Sequence, residues 1–437
     1  MTSSPAAAPR HPARLRLPGA VAIGLGSMIG AGAFTALGIA ASVTGGSAPL
    51  LFTALALAVL TAACNALSTA QLATVHPDSG GTYVYGRRQL SAWAGFLAGW
   101  GFVTGKTASV AAMAMTVGLY VFPDNPGPAR AAAVGAVLVL TAVALAGATR
   151  TAQVTVALLV PVVAVLGLTI ASGLIGSPVT GSADEATGLA EASPASVLTA
   201  AGLLFFAFAG YARVATMGEE VERPRRTVPR AVLIALTVVV LLYVLLAAAL
   251  LRILGPAGLA VSPAPVRAAL EASLGAGWGL AALVAAALAC AGAMLNLLAG
   301  ISRTAMAMAR EADLPRPLTR TSDRTGVPWV GQVAVAVAVC LLVLTTDVLT
   351  VVGFSSFGVL VYYAVANLAA LTLGPVPGSG REHARRPLRV LRAVNVLGVV
   401  LCAALAFMLP PLSVLAMLGV FLVGVGGRAY VLAGRSH

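Results

Sequence analysis

Charge is scarce in this chain. Only 9% of its 437 residues are Asp, Glu, Lys or Arg, against 59% hydrophobic, and the mean hydropathy is +0.96. Lysine occurs once, as Lys106. Of the 14 acidic residues none falls securely within an apolar run, and Asp347 lies at the outer edge of one. The four cysteines (Cys64, Cys290, Cys340, Cys402) all sit inside apolar runs, which disfavours disulfides and gives no metal spacing. The four histidines (His11, His76, His383, His437) fall in loops or tails. There is no His-Glu-x-x-His, no phosphate loop and no pair of buried carboxylates, so no enzyme, cofactor or metal site is expected. The longest loop is about 25 residues, too short to fold as a soluble domain.

Long apolar runs fill the remainder. A span needs about 20 predominantly apolar residues. On that measure twelve spans are expected, at about 18–43, 49–74, 93–121, 129–148, 152–175, from Ser196 onward, 229–252, 277–302, 328–345, 348–373, 393–409 and 412–432. The fold class is therefore an all-α polytopic membrane protein. Residues 1–17 read as a basic cytoplasmic tail that enters the first span with no cleavable signal. Val266–Leu274 reads as an amphipathic stretch in an outer loop.

The net charge of +13 reports topology rather than nucleic acid binding. Of 26 arginines, 22 fall on one side of the expected spans, three on the other (Arg130, Arg252, Arg267), and Arg213 within one. Such asymmetry in short loops marks the cytoplasmic face. Both termini are then cytoplasmic and the acidic loop 176–195 external. The excess of arginine over lysine and the abundance of alanine suggest a GC-rich bacterial genome and hence the inner membrane.

Span 1 contains Gly24-Leu-Gly-Ser-Met-Ile-Gly-Ala-Gly-Ala-Phe34. Glycine costs about 1 kcal/mol per helical position relative to alanine. A break at membrane depth survives only where the freed backbone lines a cavity or a ligand. Unwinding over Ile29–Gly32 is expected, with a second half-helix from near Ala33. Close packing through Gly26-x-x-x-Gly30 is the plainer alternative. A dinucleotide loop would need a preceding strand and a soluble βαβ unit, and neither is present. Span 6 carries a second expected break at Phe208-Ala209-Gly210. Interrupted helices at corresponding positions of two halves point to a transporter site between inverted repeats.

Four motifs in order then resemble one family. Gly-Ser-Met-Ile-Gly-Ala-Gly-Ala-Phe is similar to the first helix of the amino acid–polyamine–organocation (APC) superfamily of permeases. Phe-Phe-Ala-Phe-Ala-Gly-Tyr with Gly-Glu-Glu-Val-Glu-Arg-Pro resembles its sixth helix and following loop. Pro77-x-Ser-Gly-Gly-x-Tyr-x-Tyr resembles the 2–3 loop, and Ser302-Arg-Thr-Ala-Met-Ala-Met-Ala-Arg the end of helix 8. The resemblance runs nearly end to end. It implies a LeuT-type 5+5 inverted repeat, with helices 1–5 over 18–175, helices 6–10 over 196–373, and helices 11–12 over 393–432.

It also implies a substrate site at Ile29, Gly30, Ala31 and Gly32 facing Phe206, Ala207, Phe208, Ala209 and Gly210. In the family, helix-1 amides take the substrate carboxylate and helix-6 carbonyls its ammonium. Free N–H groups suit an anion and unwound carbonyls a cation. The chain departs from the family in two places. Ala212 stands where many members carry an acid, and the stretch around Leu159–Pro161 lacks a lysine found in proton-coupled members. Lys106, Arg213, Glu219 and Glu220 are the coupling and gating candidates. Snorkelling of Arg213, a solvated loop for the glutamates, and a purely structural Lys106 are the alternatives. The implied function is secondary transport of neutral amino acids, with proton coupling or exchange left open. A transporter-like amino acid sensor is the rival. The implied partners are the amino acid, protons and the bilayer.

Overall fold

A computed structural model describes residues 15–76, 80–147, 152–176, 193–215, 217, 220–373 and 390–433. Among them, sixteen α-helices follow one another: α1 (Leu17–Met28), α2 (Leu37–Val43), α3 (Ala48–Val75), α4 (Thr82–Gln89), α5 (Ala92–Val121), α6 (Pro126–Leu145), α7 (Ala152–Ile175), α8 (Pro194–Phe208), α9 (Ala212–Ala215), α10 (Pro224–Val261), α11 (Pro265–Leu274), α12 (Gly279–Arg310), α13 (Trp329–Thr345), α14 (Val348–Leu371), α15 (Arg392–Phe407) and α16 (Pro411–Ala433).

The helix starts follow local chemistry. Ser193 caps α8 and exchanges side-chain and backbone bonds with Ser196, a reciprocal capping box. Ser91 accepts the Ala94 amide at the start of α5. Asp347 caps α14 through the Thr350 amide and hydroxyl, at 2.9 and 2.7 Å, which accounts for an acid at the edge of a span. Gly255, with φ 70, kinks α10 just before Pro256.

Among the described residues, nine helices are long and apolar enough to cross a membrane, or ten if the bent pair at 17–43 is one span. The helices α13 and α15, of 17 and 16 residues, are apolar but shorter. The expected count of twelve requires both of these to cross as well. Exposed leucine and valine mark the outward faces of α7, α13, α15 and α16, as lipid contact demands.

At the centre α5 is buried against α12 and α14. It meets α14 through glycine: a Cβ on Gly101 would stand 2.6 Å from the Gly358 carbonyl oxygen, and one on Gly105 3.1 Å from Gly358 Cα. Small residues let the backbones approach this closely. The helix α4 lies under this centre with Tyr83 and Tyr85 buried.

Candidate functional site

The candidate site expected from sequence centres on the break in the first span. Ile29, with φ −81 and ψ 86, leaves helical geometry. The chain resumes as a π-helical turn at Gly32–Ala36, and the two halves are bent by 41°. The restart leaves the Ala31 and Gly32 amides at a helix N-terminus, where backbone N–H groups lack intrahelical acceptors. The freed carbonyls recruit side chains. Tyr243 donates to Met28 O at 2.9 Å, Thr35 to Ala31 O at 2.8 Å, and Tyr120 to Phe34 O at 2.8 Å.

The sixth span takes a different form from the expected gap. At Ala209–Tyr211 the helix tightens into a 3-10 turn and continues as α9. Tightening still redirects a carbonyl. Ala209 O accepts Lys106 Nζ at 3.0 Å and faces Tyr363 Oη at 3.5 Å. Ala207 O faces Tyr243 Oη at 3.5 Å. Tyr243 thus spans the end of α1 and the end of α8.

The two interrupted elements cross with almost no space between them. A Cβ on Gly32 would lie 2.6 Å from Ala207 Cβ and 3.0 Å from Tyr243 Oη. Gly210 packs directly on the Ser27 carbonyl. Beside Gly30 stand Met113 Cε and Ala293 Cβ, each 3.3 Å from where a Cβ would be. Phe206 is 7% exposed, the most of the apolar side chains from Phe205 to Tyr211. Ile29, Ala31, Phe208 and Ala209 are buried.

Lys106 is 4% exposed, among apolar groups and backbone oxygen. Tyr363, which shares the Ala209 carbonyl with Lys106, belongs to a ring cluster with Phe205, Tyr211 and Tyr362 at centroid distances of 5.1 to 5.8 Å. Asn367 holds the Tyr363 carbonyl at 2.8 Å and reaches Asn65 at 2.6 Å. The polar residues of α3 thereby serve helix packing.

One end of the first span is latched to the loop after α9. Leu15 pairs with that loop as a parallel bridge, Leu15 N to Glu220 O and Glu222 N to Leu15 O, both 2.8 Å. Arg213 and Arg303 both reach Glu220 Oε1, at 3.4 and 3.2 Å. The candidates Arg213 and Glu220 therefore meet, and Glu219 lies outside the described residues. At the opposite end Arg267 of α11 donates to Tyr120 O at 2.8 Å, so the amphipathic loop helix covers Tyr120 and the π turn.

Two sets of residues escape sequence reasoning. The first is the tyrosines. Six of the eight are fully buried (Tyr85, Tyr120, Tyr211, Tyr243, Tyr362, Tyr363), and a buried phenol needs a partner, which is the signal that could have found them. The second is an ionic cluster. Asp313 binds Arg428 Nε and Arg87 Nη1, each at 2.8 Å, and accepts Tyr83 Oη at 2.9 Å. Burial and the adjacent carboxylate push the Tyr83 phenol above its ordinary range, keeping it a donor. Arg428 stacks on Trp93 at 4.3 Å and Phe96 at 5.0 Å.

Among the described residues no cluster of His, Cys, Asp or Glu could hold a metal. A concavity of about 530 Å³ between α7 and α12, lined by Pro161, Val165, Leu280 and Val284, opens outward with almost wholly apolar walls. It offers no set of polar groups.

A family model described as "Amino acid permease" matches residues 15–422. An uncharacterized transporter of Mycobacterium tuberculosis is 47% identical over 421 residues, covering 95% of this chain and 90% of its own length. A cationic amino acid transporter of Arabidopsis thaliana, described as vacuolar, is 29% identical over 388 residues, covering 82% of this chain and 63% of its own. A second from that plant, described as mitochondrial, is 27% identical over 408 residues, covering 84% and 65%.

Proposed function

The chain belongs to the amino acid permease family, and we propose that it is a secondary transporter of neutral amino acids working by alternating access around the Gly30–Gly32 break. The substrate carboxylate meets the Ala31 and Gly32 amides, and its ammonium meets carbonyls of Phe206–Gly210. Phe206 borders the substrate. The latch through Leu15, Arg213 and Glu220 closes one side, and α11 with Arg267 closes the other.

The observation that carries the substrate charge is Lys106 on Ala209 O. Among the described residues, no carboxylate lies beside this crossing: Glu220 sits at the latch and Asp313 beyond α12. A cationic side chain entering here finds no counter-ion and faces the lysine. At about 6 Å and an effective dielectric near 20, that repulsion is about 3 kcal/mol. The Arabidopsis relatives are named for cationic amino acids, and neutral selectivity separates this chain from those names. Lys106 is also the residue proposed to link flux to protons, because an intramembrane ionisable group is by default functional.

Uptake and counterflow in proteoliposomes test the reading, across the common amino acids, with and without imposed proton and sodium gradients. Accelerated exchange of neutral amino acids is expected. High-affinity arginine transport with neutral amino acids ignored overturns the selectivity. Saturable binding without flux turns the reading to a sensor.

A further inference from the structure

The helix α10 begins at a membrane surface with an unusual density of arginine. Arg223, Arg225, Arg226 and Arg230 are all exposed, and none forms a salt bridge among the described residues. Arg223, Pro224, Arg225 and Arg226 line a concavity of about 580 Å³. Arg223 holds a left-handed φ of 48, which turns the chain sharply into the helix. Val228 and Pro229 are buried and press the opposite face onto the protein.

The spacing of the arginines decides what they face. Arg226 and Arg230 are four residues apart, hence on one helix face. Continuing that face by steps of four, four, three and four gives Ile234, Val238, Leu241 and Leu245. These are 42%, 42%, 59% and 43% exposed. The same stripe is thus cationic at its first two turns and bare hydrocarbon above them. From Arg230 to Leu241 the axis rises about 16 Å, close to the depth of one leaflet in a hydrocarbon core about 30 Å thick.

We propose that this face binds an anionic phospholipid, its phosphate at Arg226 and Arg230 and an acyl chain along Ile234, Val238 and Leu241. The two exposed guanidinium charges attract the single negative charge of a phosphodiester at the membrane surface. A free phosphate matches the cationic turns but leaves the apolar stripe unused. The occupant sits four residues beyond Glu222, which carries the backbone bond to Leu15, so the lipid adjoins the latch at the start of the first span.

The test is native mass spectrometry of the full chain in detergent, titrated with phosphatidylglycerol or with phosphatidylcholine of the same acyl chains. It reads binding without transport, so it stands or falls separately from the proposed substrate. The unaltered chain should retain phosphatidylglycerol over phosphatidylcholine. Arg226→Gln with Arg230→Gln should weaken retention roughly thirtyfold, about fivefold per arginine at a membrane surface. Arg226→Lys with Arg230→Lys should restore most of it, which separates lost charge from misfolding. Equal retention of the two lipids, undiminished retention in the glutamine pair, or failure of the lysine pair overturns the proposal. Displacement of the lipid by millimolar inorganic phosphate assigns the site to the free anion and overturns it likewise.

Discussion

If Lys106 links flux to protons as proposed, replacing it by methionine should separate accumulation from exchange. Methionine keeps the unbranched stem and removes the charge. The Ala209 carbonyl then loses its 3.0 Å donor and retains only the Tyr363 hydroxyl at 3.5 Å. An under-satisfied buried acceptor costs about 1–3 kcal/mol, and removing a buried charge offsets part of that, so the variant should fold. The larger effect is on accumulation. One coupled proton contributes about 2.3 kcal/mol per 100 mV of membrane potential. At about 1.4 kcal/mol per tenfold, that supports a gradient of roughly fiftyfold. In proteoliposomes with an imposed proton gradient, Lys106→Met should reduce accumulation of the preferred neutral amino acid to its equilibrium value of one. Counterflow, which needs only alternation, should persist. A well-folded variant with unchanged accumulation and pH dependence removes Lys106 from the coupling mechanism.

Three further outcomes are expected. Gly32→Ala places a Cβ 2.6 Å from Ala207 Cβ, so exchange should fall at least tenfold in a protein that still elutes as a single species, and normal exchange would show that the crossing is not part of the pathway. Asp313→Asn leaves Arg428, with its side chain 4% exposed, as an uncompensated buried charge. Breaking such a pair costs about 3–5 kcal/mol; an unaltered thermal unfolding midpoint would argue that the cluster contributes nothing. A cysteine introduced by Ser182→Cys should react with an impermeant thiol reagent from outside, and labelling only from inside would invert the topology.

The break at Gly30 was legible in sequence because glycine's cost in a helix is local. Lys106 stood out in sequence as the single lysine, placed within an apolar run, but its acceptor, Ala209 O of the sixth span, lies 103 residues away and was not legible. The form of the sixth span was not legible. Ala209–Tyr211 tightens rather than extends, since Lys106 and Tyr363 meet the redirected carbonyl without requiring an open gap. Tyr243 and the Asp313–Arg428 pair depend on contacts 215 and 115 residues apart, which no local pattern encodes. Boundaries shifted for a related reason. The expected span at 229–252 became α10 at Pro224–Val261: Pro224 takes the first helical position, where its missing N–H is tolerated, and Pro229 lies inside the helix instead of starting it. The kink at Gly255 lets the helix run on past Arg252.

A chain of 437 residues with a single lysine carries only two aliphatic amines, the α-amino group and Lys106 Nζ. Every amine-directed chemistry therefore reports on the N-terminus or on the centre of the molecule. Isotopic reductive methylation would give two resonances, one of them from the crossing of the first and sixth spans. An acylating reagent would modify Nζ only while a path from water to that crossing stands open. The rate of its incorporation, compared with and without substrate, measures how often water reaches that crossing, without any cysteine or fluorophore added to the protein.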